Sequence, residues 1–330
     1  METTRTLAAN SSSTARARRT PRLRRATAIA LWLLAWLVPW TVSCAAPASN
    51  AKVLILNSNG AVKKYATIEN AFQSNLAIPT ARLDLAGGSG SPDALKENLK
   101  SSDAALIYAI GSNAYQLASR NAKQPIVFSS ILNWRRQRMG DNVYGIANEL
   151  PSGMPLSLFR YLFPELKTIG VLYSETFNKE WLAEAVGAAA DVRIELIGEK
   201  VAAPSELPQA LARLLPRVDA LWLISDPVVL ATENSAIELF RRSDAGKKPV
   251  FAYDDVFVDL GAVLAITADI PTMGIQAAKL AEDVLMGRET PPEHVQNPAG
   301  SHITLHMGRV QRYGIHLNRQ ALGAVNRVVE

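Results

Sequence analysis

His302 and His306 in the run HITLH would share one face of a strand, a spacing that could offer two imidazoles to a metal, but no acidic or third ligand lies nearby. No metal site is expected. Asp254, Asp255 and Asp259 follow Tyr253 closely enough to consider paired-carboxylate hydrolysis. An acidic group at a loop and helix start is equally the ordinary complement of a helix dipole. No GxSxG elbow occurs, and the single cysteine, Cys44, lies in the N-terminal leader, so a folded domain has no thiol nucleophile. Gly87-Gly88-Ser89-Gly90 fits neither GxGxxG nor GxxxxGK[ST] and reads as a flexible turn. No cofactor is implied and no enzyme is expected, an α/β hydrolase-type activity being the remaining enzymatic alternative.

The other reactive groups share one habit: they end apolar runs. Ser58 follows VLILN, Ser112 and Asn113 follow LIYAIG, and Ser129 and Ser130 follow IVF, with Asn133 in the loop beyond. Glu149 stands where the chain leaves this region, Tyr173 closes TIGVLY, Asp226 follows ALWLIS, and Tyr253 and Asp254 close PVFAY. In α/β sheets, ligands collect at the carboxyl edges of strands. These eleven residues are therefore the candidate ligand contacts. Ser112 is also well placed to cap the helix that follows, a role compatible with ligand binding.

The elements that must position them alternate regularly. Continuous apolar runs at 53–56, 104–110 and 126–128, with a weaker one at 81–86, predict strands buried on both faces of a parallel sheet. Helices over 65–76 and from 91 to about 100 separate them. After a crossing at 142–149 the alternation restarts, with strands at 168–173, 192–197, 220–224, 249–253 and 262–267 and helices at 156–162, 179–189, 206–214 and 229–241. A long helix at 271–286, a short strand at 301–305 and an amphipathic tail from 308 complete the chain. The pattern predicts two doubly wound α/β lobes.

Charge does not point to nucleic acid. Seven arginines and Glu2 precede residue 26 and carry +6 of the formal +5, leaving about −1 for the remainder. That arginine-rich start, the apolar run 26–40 and the small residues Ser43-Cys44-Ala45-Ala46-Pro47-Ala48 form a secretory signal. Cys44 in Thr41-Val42-Ser43-Cys44 resembles the lipobox of bacterial lipoproteins, which implies an acylated mature N-terminus. Cleavage near Ala46 or Ala48 and an uncleaved anchor are the alternatives. Each places the folded part outside the cytoplasm, in the periplasm or on the outer face of the membrane.

From about residue 104 onward the chain resembles the bacterial ABC transporter substrate-binding proteins of the type that includes tryptophan-binding lipoproteins. The likeness rests on Ala109-Ile110-Gly111-Ser112, Pro125-Ile126-Val127-Phe128, Asn142-Val143-Tyr144-Gly145-Ile146, the run 163–173, Ser225-Asp226-Pro227, and Leu285-Met286-Gly287 ahead of Pro291-Pro292. It implies a type I periplasmic-binding fold: two Rossmann-like lobes, a three-strand hinge, and a last long helix that returns to the first lobe. The expected division is a leader and linker over 1–48, lobe 1 over 49–147 plus 270–299, and lobe 2 over 148–269 plus 300–330. The implied function is an exported, monomeric receptor that closes on a small molecule, an amino acid or related organic solute, and delivers it to an ABC permease. A receptor coupled to a membrane signalling protein is the alternative. Where relatives carry Gly-Asp-Pro after the Phe128 strand, this chain has Ile131-Leu132-Asn133-Trp134-Arg135-Arg136-Gln137-Arg138. Trp134 and Tyr144 there could stack on a ligand or pack between the lobes.

Overall fold

The computed structural model describes residues 52–86, 92–290, 292 and 294–330. The leader with Cys44 and the turn at 87–90 lie outside the described residues. The first sheet begins with β1 (Val53–Asn57), α1 (Lys63–Asn75), β2 (Thr80–Asp84), α2 (Pro92–Lys100), β3 (Leu106–Ile110), α3 (Ser112–Asn121), β4 (Ile126–Ser129) and β5 (Val143–Ile146). The chain then crosses to α4 (Gly153–Leu162), β6 (Thr168–Tyr173), α5 (Glu175–Asp191), β7 (Glu195–Lys200), α6 (Leu207–Leu214), β8 (Ala220–Leu223), α7 (Glu233–Ala245), β9 (Val250–Ala252), α8 (Val256–Leu260) and β10 (Leu264–Ala268). It returns through α9 (Ile270–Leu285) and β11 (Val295–Gln296), and ends with β12 (Ser301–His306), α10 (Met307–Tyr313) and β13 (Arg327–Val329).

The first sheet has the order β11-β5-β4-β3-β1-β2 with every pair parallel. The second has the order β13-β12-β10-β9-β8-β6-β7, parallel except where β12 runs against β10. Because strand side chains alternate faces, Val53, Ile55, Tyr108 and Val127 pack beneath α1 and α9. Leu54, Leu56, Ile107 and Phe128 fill the opposite face with Tyr115 of α3. Both faces are covered, which is why these strands read as unbroken apolar runs.

Helix α9 lies on the first sheet against α1, and it does so through a glycine. A Cβ on Gly274 would stand 2.6 Å from the Ile68 carbonyl oxygen and 2.7 Å from Ala71 Cβ, so the two backbones touch where a side chain would otherwise separate them. Asp269 caps α9, accepting from Thr272 N at 3.0 Å and Thr272 Oγ1 at 2.5 Å. The three passages between the sheets are bonded to their neighbours, with Ala147 N donating to Gln296 O and Asp269 N to Gly300 O, at 2.9 and 3.0 Å.

Several sequence-predicted boundaries move for identifiable reasons. The strand expected at 192–197 lies at Glu195–Lys200. Helix α5 runs on to Asp191, and Arg193, at φ 58°, turns the chain before the strand can start. The helix expected from 229 begins at Glu233, because Asp226 Oδ1 accepts from Val228 N and Val229 N and holds that segment as a turn. Thr232 then caps α7 by accepting from Ser235 N. The amphipathic tail adds β13 to the edge of the second sheet.

Candidate functional site

The cavity at the junction of the two sheets has a volume of about 80 Å3 and is partly open to solvent. Its floor is the carboxyl edge of β8, β9 and β10, which contributes Trp222, Ile224, Ser225, Ala252, Tyr253, Ile266 and Ala268. Phe159 of α4 and Trp181 of α5 form a wall. Trp222 stands 5.0 Å from Trp181 and 5.4 Å from Phe159 between ring centroids, both near edge-to-face. The crossing residues Asn148, Glu149 and Leu150, the loop residue Asn133, Pro155 of α4 and Asn178 of α5 complete the lining.

Asn133 reaches the cavity because the chain after β4 turns sharply. Ser130 and Asn133 hold positive φ angles of 57° and 53°, a conformation that non-glycine residues adopt at a cost. The short helical turn Trp134–Arg136 follows. From this position Asn133 Nδ2 donates to Ser225 Oγ at 3.1 Å, bridging the loop of one sheet and the strand end of the other. Tyr253 lies beside the same Ser225 side chain. Burial raises the Tyr253 phenol above its usual pKa; the Ser225 side chain opposes this, and the negative charges of Asp254 and Glu149 add to it.

Glu149 carries the cavity's one ionisable carboxylate. Its Oε1 accepts from the Asn133 N–H, while Oε2 is withdrawn from solvent with no hydrogen-bond partner. Desolvation drives the Glu149 pKa upward, against the Asn133 bond, its own backbone N–H and the charges of Arg135 and Arg136. Both guanidiniums also lie over aromatic rings. Arg135 lies over the Trp134 ring at 4.9 Å, and Arg136 lies over the Phe177 ring at 4.4 Å and donates to Phe177 O at 3.3 Å.

Of the eleven sequence-predicted contacts, Asn133, Glu149 and Tyr253 line this cavity. Asp226 lies behind it, almost wholly buried. Its Oδ2 accepts from Ser174 N, Ser174 Oγ and Asn178 Nδ2 at 2.6 to 2.7 Å, so it orients Asn178, which does line the cavity. Ser58, Ser112, Asn113, Ser129, Ser130, Tyr173 and Asp254 are not among the lining residues. Ser58 Oγ accepts from Ala114 N at 2.9 Å and so supplies the cap of α3. That corrects the expectation that Ser112 caps the helix: Gly111, at φ 84°, takes the N-cap position, and Ser112 is already helical. Ser129 Oγ lies 2.6 Å from the buried Tyr108 hydroxyl, Ser130 Oγ is buried with no partner, and Asn113 is exposed. Tyr173 packs on the core of the second sheet and Asp254 Oδ1 accepts from Val256 N.

Trp134 packs against the first sheet's core and Tyr144 stacks on His294 at 4.6 Å. Among the described residues no group of three potential metal ligands forms around His302 and His306. Phe159, Trp181, Trp222, Asn178 and Ser225 are lining residues that the sequence did not single out. The one available signal was Ser225-Asp226-Pro227, where Ser225 faces the cavity and its neighbour faces away.

A family model described as ABC transporter substrate binding protein matches residues 54–329. A tyrosine-binding protein of Clostridioides difficile (strain R20291) is 27% identical over 193 residues, 56% of this chain and 55% of that protein. The chain thus spans about half the length of that curated relative. An ABC domain in complex with L-Trp from Streptococcus pneumonia superposes with a TM-score of 0.59 at 21% identity, covering 85% of this chain and all of that one. A ligand-free, open substrate binding protein with adhesive properties from Clostridium difficile gives 0.65 at 18% identity, covering 84% and 99%. The two structures share the two-lobed fold with this chain.

Proposed function

The chain belongs to the ABC transporter substrate binding protein family, and from that membership we propose that it is an exported receptor that closes two lobes on a small solute with an aromatic or apolar body and hands it to an ABC permease. The observation that carries this reading is the cavity itself. Its walls are Phe159, Trp181, Trp222 and Tyr253, and it takes residues from the carboxyl edge of one sheet and from the loop of the other. The aromatic solutes in the names of the two relatives described above are consistent with such walls. The proposed lobes are 49–147 plus 270–299 and 148–269 plus 300–330, and the proposed signal at 1–48 ends in an acylated Cys44.

Closure follows from differential affinity: a solute that touches Asn133 on one side and Trp222 or Tyr253 on the other favours the state that brings them together. A thermal-shift screen of aromatic solutes identifies the ligand. Small-angle scattering with and without it tests the mechanism, with a smaller radius of gyration expected in the complex. An unchanged radius with ligand bound would remove closure from the reading.

A further inference from the structure

We infer that the solute taken by this cavity is a protonated amine on an aromatic or apolar body, without a carboxylate beside the amine. The inference rests on the receptor reading above and narrows its ligand class. Its first support is Glu149 Oε2, a buried acceptor without a partner that borders the cavity. An unpartnered buried carboxylate oxygen is costly, and an ammonium supplies both the missing donor and the missing charge. Desolvation accordingly raises the pKa of this carboxyl.

The second support is what the lining lacks. Its polar groups are the amides of Asn133, Asn148 and Asn178, the hydroxyls of Ser225 and Tyr253, and Glu149, with no Lys, Arg or His among them. An α-amino acid would bring its carboxylate within a few ångströms of Glu149, where like charges repel strongly in a half-dry site. The two nearby guanidiniums, Arg135 over Trp134 and Arg136 over Phe177, already act on Glu149 and do not line the cavity. The helix start beside the cavity is also poor in free donors. Pro155 has no N–H, Met154 N donates to Pro151 O, and Leu156 N donates to Ser152 O. The amides and hydroxyls suit the flank of a neutral or cationic solute, and the aromatic faces of Trp181, Trp222 and Tyr253 favour a cation among them.

Calorimetry with tyramine and tryptamine set against L-tyrosine and L-tryptophan tests this, using the folded chain without its leader segment and repeating the measurement in Glu149→Gln. The expected result is that at least one amine binds, and binds at least about tenfold more tightly than its amino acid. Glu149→Gln is expected to weaken that amine about tenfold or more while leaving any weak binding of the uncharged analogue, p-cresol or 3-methylindole, unchanged. An amino acid that binds as tightly as its amine overturns the inference and leaves the receptor reading intact. If neither amine binds, the inference is likewise overturned. A broader solute screen then separates the two readings: a hit of another class keeps the receptor, and silence throughout removes it as well. If Glu149→Gln fails to fold, the comparison of amine and amino acid in the unaltered protein still decides.

Discussion

Asn133 and Ser225, 92 positions apart in the chain, meet through a 3.1 Å hydrogen bond that joins the loop after β4 of one sheet to the end of β8 in the other. In the proposed closure mechanism, a bond in that position favours the closed state. Asn133→Ala is expected to cost about 1 kcal/mol of folding stability, because alanine adopts the left-handed φ of 53° less readily than asparagine. Ligand affinity should fall by the net worth of one hydrogen bond, about 0.5–1.5 kcal/mol or roughly two- to twelvefold. Calorimetry and small-angle scattering check it, the latter reading a more open ligand-free particle.

Glu149 should work against the stability of the empty protein. Its folded pKa is raised above that of the unfolded chain. Between those two values the folded state holds the extra proton, so stability falls as pH rises through that window. The charged groups acting on it are Arg135 and Arg136 from the turn after β4, and both oppose the shift. Glu149→Gln removes the charge and is expected to raise the ligand-free unfolding midpoint at pH 7 by about 2–4 °C, as for about 1 kcal/mol in a chain of this size. The difference should close toward pH 4, which scanning fluorimetry across pH would follow.

Asp226 is the opposite case. Burial disfavours its charge, yet the bonds from Ser174 N–H, Val229 N–H, the Ser174 hydroxyl and Asn178 together hold its pKa below the ordinary aspartate value. Its stabilisation is therefore complete above that ordinary value and is lost as pH falls through the lower, folded one. Asp226→Ala strands several buried donors and should cost about 2–4 kcal/mol at pH 7. Denaturant titration measures this, and the loss should shrink below about pH 4 as the unaltered carboxyl also protonates.

Two glycines in helices should respond in opposite directions. Gly274→Ala forces α9 away from the α1 backbone and is expected to destabilise by about 1–3 kcal/mol. Gly187 in α5 has no heavy atom within 4 Å of the position a Cβ would take. Gly187→Ala should stabilise by about 0.4–1 kcal/mol through the unfolded chain. Paired unfolding curves decide both.

The sheets were legible because strands covered on both faces must be apolar at every position, as in LIYAI and TIGVLY. Strands β11 and β13, two and three residues long at sheet edges, have no such run and escaped notice. In the cavity, Asn133, Glu149 and Tyr253 were legible as polar groups where apolar runs end. Trp181 and Trp222 were not, because an aromatic within a helix or strand reads as core whether it faces a neighbour or a void. Ser225 was passed over for Asp226 because adjacent residues at a strand end point in opposite directions, and the charge drew attention to the one behind the cavity.

The seating of α9 on α1 also fixes an order in time. Ala77 N donates to Glu282 Oε1 across 205 positions of sequence, and Met273, Ala277 and Ala281 cover the apolar face shared with Ile68 and Phe72. A ribosome that has delivered β1 to β5 has not yet made the helix that shields them, and β12 and β13 of the second sheet come later still. Neither sheet can be completed until the last third of the chain has been synthesised. A nascent chain halted after β10 should present the bare α1 face to solvent and to any chaperone that recognises apolar surface. The first five strands can gather early, but the helix that seals them arrives only after the second sheet has been all but delivered.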